Sequence, residues 1–175
     1  MERRKFLFGA GSTAIGASAI VGSGAFNFAN VERDVGIGVV DDSNAFLALN
    51  ASSPYADGSG SQLELSFDDG AGVGGDGINE NSDYSFTGVF NIRNQGSQPV
   101  GVWIEDDDVN NAVNWYGTSN NNTPDFSTPI EESGNNYSIG VGERVYINVE
   151  ILLQENSYSD LPETITVKAD ASGGN

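Results

Sequence analysis

Apolar residues recur at every second position through most of this chain, and this spacing constrains the fold more than any other feature. Successive side chains of a β-strand point to opposite faces, so the pattern is typical of strands with one buried face. The clearest run places Tyr84, Phe86, Gly88, Phe90 and Ile92 on one face. Further runs lie at 35–39, 63–67, 100–104, 145–153 and 165–169. The sequence therefore predicts a chain built mainly of strands.

Turn-forming residues separate these runs, and no part of the chain after residue 25 combines helical periodicity with caps at both ends. This predicts an all-β fold: an antiparallel β-sandwich, jelly-roll or immunoglobulin-like, of about seven to nine strands. Residues 26–175 have the length of a single domain. The apolar run at 45–49 fits either a buried strand or one helical turn. The long connections at 68–83 and 106–136 are predicted loops, which are common interaction sites.

The first eight residues, MERRKFLF, predict a twin-arginine export signal, which carries proteins across a membrane already folded. The signal residues are Arg3, Arg4, Phe6 and Leu7. The apolar part that follows is short for a bilayer core and is diluted by Gly, Ser and Ala. Small residues at Ser23 and Ala25 predict cleavage between Ala25 and Phe26. We therefore expect a signal peptide at 1–25 and a secreted or cell-surface domain at 26–175, which touches a membrane only through an uncleaved signal.

The chain is strongly acidic, with 25 Asp and Glu against 7 Lys and Arg and a formal net charge of −18. Such a charge repels itself in dilute buffer, whereas molar salt shortens the screening length to about 3 Å. The composition therefore indicates adaptation to high salt. It also argues against nucleic acid and anionic lipid surfaces as partners, because both require a basic surface.

The sequence contains neither cysteine nor histidine. Disulfides, a lipid-modified cysteine, Ser-His-Asp or Cys-His catalysis and HExxH zinc sites are therefore excluded. Carboxylates at 105–108, with Glu131 and Glu132, suggest a glycosidase pair, but that chemistry needs two groups about 5 to 10 Å apart across a cleft and one raised pKa. A solvated acidic surface is the simpler interpretation, and we expect no enzymatic activity.

Three further features bear on ligands. Loop 74–83 contains oxygen ligands that suit calcium, although the EF-hand pattern fails, so no cofactor is expected apart from this calcium alternative. The ligand candidates are Asp76, Asn79, Glu80, Asn81 and Asp83. Three N-x-[ST] triplets offer glycosylation sites, at Asn50, Asn121 and Asn136. Trp103 and Trp115 suit sugar stacking or a subunit contact when exposed, and a covered core when buried.

Several segments resemble a family of haloarchaeal secreted proteins of unassigned function. They are RRKFLFG at the start, VGSGAF at 21–26, GDGINENS, TGVFNIRNQGSQPVGVWIED at 87–106, GVGERVYINVEI and ETITVKADA. More distantly, the strand layout is similar to the TasA and camelysin group of bacterial surface proteins. The resemblance to TasA implies a jelly-roll sandwich and filament subunits joined by donated strands. Camelysin has been classed as a metallopeptidase, but this chain has no histidine or zinc-ligand motif.

These observations favour a structural or adhesive surface protein, such as a self-associating filament or biofilm-matrix subunit. Segment 26–40, with Val35, Ile37 and Val39 alternating, is either an ordinary first strand or a strand donated to a neighbour. The alternative is a monomeric extracellular module that binds carbohydrate or calcium through the two long loops.

Overall fold

The computed structural model describes residues 45–68, 71–74 and 77–171. The described residues form nine strands: β1 Leu47–Ala51, β2 Ala56–Asp57, β3 Glu64–Leu65, β4 Asp83–Asn94, β5 Val100–Asp106, β6 Val113–Thr118, β7 Tyr137–Ile139, β8 Arg144–Leu152 and β9 Ile165–Asp170. Short 3-10 turns lie at Ser133–Asn135 and Tyr158–Asp160. The predicted signal, its cleavage point and the run at 35–39 lie outside the described residues. Within the described part, no helix has the length and apolar character needed to span a membrane.

The strands form antiparallel sheets that pack as a sandwich, which confirms the predicted all-β fold. Sheet A has the order β1-β4-β8-β6, and sheet B has the order β7-β5-β9. Strands β2 and β3 form a separate small hairpin. The run at 45–49 contributes to β1, as a strand and not a helical turn. The core lies between the sheets, where the alternating apolar side chains of β4, β5, β6 and β8 meet.

The long connection at 106–136 is not the continuous loop that its polar sequence predicts. Residues 113–118 form the edge strand β6 of sheet A. Their inward side chains are Val113, Trp115 and Gly117, a short alternation within a segment rich in asparagine. Trp115 is only 2% exposed and packs edge-on against Phe90, with ring centroids 6.3 Å apart. This tryptophan therefore belongs to the core and not to an exposed loop.

The segment that follows β6 joins the two sheets on one side of the sandwich. Ile130 donates its N–H to the carbonyl of Trp115 in β6 (2.9 Å) and accepts the N–H of Ile104 in β5 (2.8 Å). The Glu132 N–H extends the contact to the Ile104 carbonyl (3.1 Å). The Ile130 side chain is fully buried. The sandwich is therefore closed by backbone hydrogen bonds along the β6 edge of sheet A.

A bulge interrupts β4 at its centre. Phe86 pairs with Val149 and Phe90 with Ile147, so β4 contains two residues more than β8 between these points. Because the excess is even, Phe86 and Phe90 remain on the same inward face, as the alternation predicts. Gly88 has φ 59° in the bulge, a left-handed conformation that favours glycine.

Candidate functional site

A cavity of about 1230 Å³ lies between sheet A and β9. Its floor is apolar and includes Leu49, Phe90 and Trp115 from three strands of sheet A. Segment 62–68, with Leu65 and Phe67, lines one wall, and segment 158–165 lines another. Apolar side chains from both sheets and polar side chains from the two walls line this cavity, called the groove below, which makes it a candidate binding surface.

Strand β9 borders the groove and, among the described residues, is an edge strand of sheet B. In the described part of the chain its one strand partner is β5, with Val167 opposite Ile104. Ile165 and Val167 point toward the core but remain only half-buried, whereas Ile104 is 1% exposed. A strand edge beside half-covered apolar side chains is a surface on which another extended segment can pair.

The side chains of two carboxylates, Glu131 and Asp106, accept hydrogen bonds from Trp115. Glu131 Oε1 accepts the Trp115 backbone N–H at 2.7 Å, and Asp106 Oδ2 accepts the indole N–H at 2.6 Å. Nearby, Asp108 Oδ2 accepts the Val113 N–H at 2.9 Å. The ends of β5 and β6 and the joining segment are thus tied together by charged acceptors.

These carboxylates crowd one another in a half-buried position. Burial raises the pKa of Glu131 to about 7, with contributions from the charges of Asp106, Asp108 and Glu132 and opposition from the Trp115 N–H bond. Burial also raises the pKa of Asp106, against the effect of its hydrogen bond from Trp115. At neutral pH Glu131 is therefore part protonated, which lets it accept the N–H without a full buried charge.

The structure bears on one requirement of the glycosidase interpretation, the raised pKa of one carboxyl group. Glu131 has the raised pKa that a general acid needs. However, Glu131 and Asp106 both bind the same buried tryptophan, and neither lines the groove. The geometry is that of a structural clamp on Trp115.

The proposed calcium ligands are only partly described. Asp76 lies outside the described residues. Asp83 Oδ1 accepts the Gln154 N–H at 3.0 Å, and the Asn79 N–H donates to the Tyr84 hydroxyl at 2.8 Å. Among the described residues, no three acidic side chains come together in an arrangement that could hold a metal ion.

The chain has a recognisable family. Residues 39–174 match the model of a family described as proteins of unknown function (DUF1102). The chain belongs to this family. No curated protein shows significant sequence similarity to it. The matched residues include all nine strands and the residues that line the groove. The sandwich is therefore the part of this chain that the family model covers.

The three glycosylation triplets of this DUF1102 domain lie in different surroundings. Asn136 is exposed just before β7, where its Nδ2 donates to the Ser133 carbonyl at 3.1 Å. Asn50 lies in β1 and is half-buried. Asn121 is also half-buried, because its side chain packs over the β4 bulge at Gly88. Asn136 therefore offers the most accessible side chain of the three.

Trp103 lies on the outer face of sheet B and is half-buried. Its indole N–H donates to Glu105 Oε1 at 2.9 Å, and Glu105 forms an ion pair with Lys168 Nζ at 3.3 Å. The hydrogen bond from Trp103 holds the pKa of Glu105 below its usual value, with Lys168 acting in the same direction. The indole is thus part of a cross-strand cluster between β5 and β9.

Sequence reasoning missed a buried polar clamp on the outer face of sheet A. Asn148 is fully buried, although alternation places it on the outward face of β8. Its Oδ1 accepts the Gly88 N–H at 2.7 Å, and its Nδ2 donates to the carbonyls of Thr123 (3.2 Å) and Asp125 (2.9 Å). The loop after β6 therefore covers this face. Only the contrast between a polar residue and its position in the middle of an apolar strand could have suggested such a role.

Proposed function

We propose that this protein is an extracellular structural subunit that self-associates by accepting an extended segment from a second copy into the groove. The observation that supports this proposal is that β9, an edge strand among the described residues, lies beside the half-buried side chains of Ile165 and Val167. An inserted strand would hydrogen-bond to the β9 edge and cover these side chains, which is how strand addition gains affinity.

The occupant we propose is the alternating segment 35–39 of the neighbouring copy. Val35, Ile37 and Val39 share one face, and five extended residues span roughly 17 Å, which is close to the length of the six-residue β9. Gly36 and Gly38 between them add no bulk on the opposite face. The segment precedes β1 by only a few residues, so a donor would be tethered to its own domain by a short connection.

The export signal and the charge complete this proposal. We place the protein at the cell surface or in the extracellular matrix of a halophile, where it functions as a filament or adhesive subunit. The RRKFLF motif favours folded export, and the acidic surface favours high salt. Folded export requires a stable monomer, so association between copies would follow export and removal of the signal.

Electron microscopy of the chain cleaved before Phe26, in molar salt, tests the proposal. We expect fibres from the wild type and none from Val167→Lys, because a lysine on the groove face of β9 blocks the inserted strand. The matched control is Thr166→Lys, which places the same charge on the exposed outer face of the same strand and should leave fibres intact.

A persistent wild-type monomer would contradict the subunit proposal. If the melting temperature of that monomer rose with calcium or with an oligosaccharide, the alternative of an extracellular binding module would be favoured. Equal fibre formation by wild type and Val167→Lys would show that the groove is not the contact.

A further inference from the structure

Two arginines stand side by side on the outer face of sheet A, without an ion pair to any described residue. Arg93 in β4 is the direct cross-strand partner of Arg144 in β8. The ion pair that the described residues form joins Lys168 and Glu105, on the other sheet. Like charges directly opposite each other destabilise a sheet, so this placement costs stability in the isolated domain.

The pair is unusual because the chain carries so few bases. Seven Lys and Arg face 25 Asp and Glu, yet no described carboxylate lies within ion-pair distance of either guanidinium. Arg144 is exposed, and Arg93 is half-buried with a shielded Nε that has no hydrogen-bond partner among the described residues. Two adjacent guanidinium groups with unused donors are suited to binding carboxylates.

The opposite end of the same two strands carries the complementary surface. Asp83 begins β4 and pairs with Leu152 at the end of β8. Because β8 contains nine extended residues, this end of the sheet lies about 26 Å from the arginines. A cavity of about 530 Å³ lies there, lined by Asp83 and Glu155. The amide side chains that join them are Asn110, Asn111, Asn114 and Asn156. Carboxylate and amide oxygens together offer acceptors for a guanidinium.

We infer that the Arg93–Arg144 pair of one copy docks against the Asp83–Glu155 cavity of the next copy. The two surfaces lie at opposite ends of one sheet, so the contact is head-to-tail and leaves a free surface at each end of every dimer. Repetition therefore builds an open chain of copies. This inference rests on the proposed self-association and adds a second, electrostatic contact that fixes how successive subunits are oriented.

Charge exchange tests the inference, with association of the cleaved chain measured by analytical ultracentrifugation. Arg144→Glu should weaken association about tenfold or more, as expected for the loss of a charge-assisted hydrogen bond. Arg144→Glu combined with Glu155→Arg should restore it, because each copy then presents the reversed pair. Arg144→Lys keeps the charge but loses the planar set of donors, and it should associate more weakly than the wild type and more strongly than Arg144→Glu. Gly134→Glu combined with Asn135→Asp, at exposed positions in the turn before β7, makes the same change in net charge away from both contacts and is the matched control.

The outcomes separate this inference from the proposed function. Association lost in Val167→Lys but unchanged in Arg144→Glu would overturn the arginine contact and leave the groove contact standing. Failure of the double variant to recover would overturn the assignment of Glu155 as partner. A phosphate-dependent rise in the melting temperature that requires Arg144, without an effect of Arg144→Glu on association, would show that the pair binds a free anion. A wild type that remains monomeric would overturn both proposals.

Discussion

Replacing Glu131 by glutamine should change how stability depends on pH. The folded pKa of Glu131 is about 7, against an ordinary value of 4.5. A difference of this size corresponds to an upper bound of about 3 kcal/mol. Because the side chain is only half-buried, solvent and salt reduce the expected contribution to roughly 1–2 kcal/mol.

The sign follows from the raised pKa. Between pH 4.5 and about 7 the folded state binds a proton that the unfolded chain has released. The contribution of Glu131 to stability is therefore fully present below pH 4.5 and is lost as the pH rises through about 7. Glutamine is uncharged at every pH and keeps an oxygen for the Trp115 N–H. Glu131→Gln should thus match the wild type near pH 5 and exceed it by roughly 1–2 kcal/mol near pH 8.

Urea unfolding followed by circular dichroism at pH 5 and pH 8, at constant ionic strength, measures this difference. Glu132→Gln is the matched control, because Glu132 is the adjacent carboxylate and is exposed. It should retain the pH dependence of the wild type in this window. If Glu131→Gln lost stability between pH 5 and pH 8 as steeply as the wild type, burial of Glu131 would not be the cause and the reasoning would be refuted.

Two further predictions concern the outer face of sheet A, and both are measured by urea unfolding. Gly88→Ala should cost about 2–4 kcal/mol, because φ is 59° and a Cβ would lie 2.1 Å from Asn121 Oδ1. The control is Gly134→Ala, where a Cβ would meet nothing within 4 Å. This change should alter stability by less than about 1 kcal/mol. Equal effects of the two changes would contradict the packing argument. Asn148→Ala should cost about 2–3 kcal/mol by leaving the Gly88 N–H and the Asp125 carbonyl without their partner, and Asn114→Ala on the same face is the control. A neutral Asn148→Ala would show that water replaces the clamp.

The sequence predicted the parts of the fold that depend on local alternation. The inward faces of β5 and β8, and of β4 on either side of its bulge, follow directly from it, since a period of two leaves no other choice of face once one side is buried. Gly88, which the alternation also placed inward, instead faces Asn121 on the outer face. Strand β6 was not predicted, because its inward positions include Gly117. That glycine is required by packing, since a Cβ there would lie 2.8 Å from the Tyr137 ring. A glycine with a tertiary role has the same appearance in sequence as a glycine in a turn.

Less of the candidate site than of the fold could be predicted from the sequence, because the site depends on contacts between residues that are far apart in the chain. The groove borders β9, which is an edge strand among the described residues, and strand order depends on long-range pairing that alternation does not encode. The raised pKa of Glu131 depends first on its burial and then on the charge of Asp106, a residue 25 positions away. The sequence did identify segment 26–40, which contains the alternating residues 35–39, as a candidate donated strand, and this remains a prediction.

Disulfide trapping tests strand exchange most directly, because the chain contains no native cysteine. Ile37→Cys and Val167→Cys would be introduced into separate cleaved chains, mixed in molar salt and oxidised. We predict a disulfide-linked pair that joins position 37 of one copy to position 167 of the other, and no such pair when Thr166→Cys replaces Val167→Cys. A cross-link that forms only when Ile37→Cys and Val167→Cys share one chain, and only within that chain, would contradict exchange between copies.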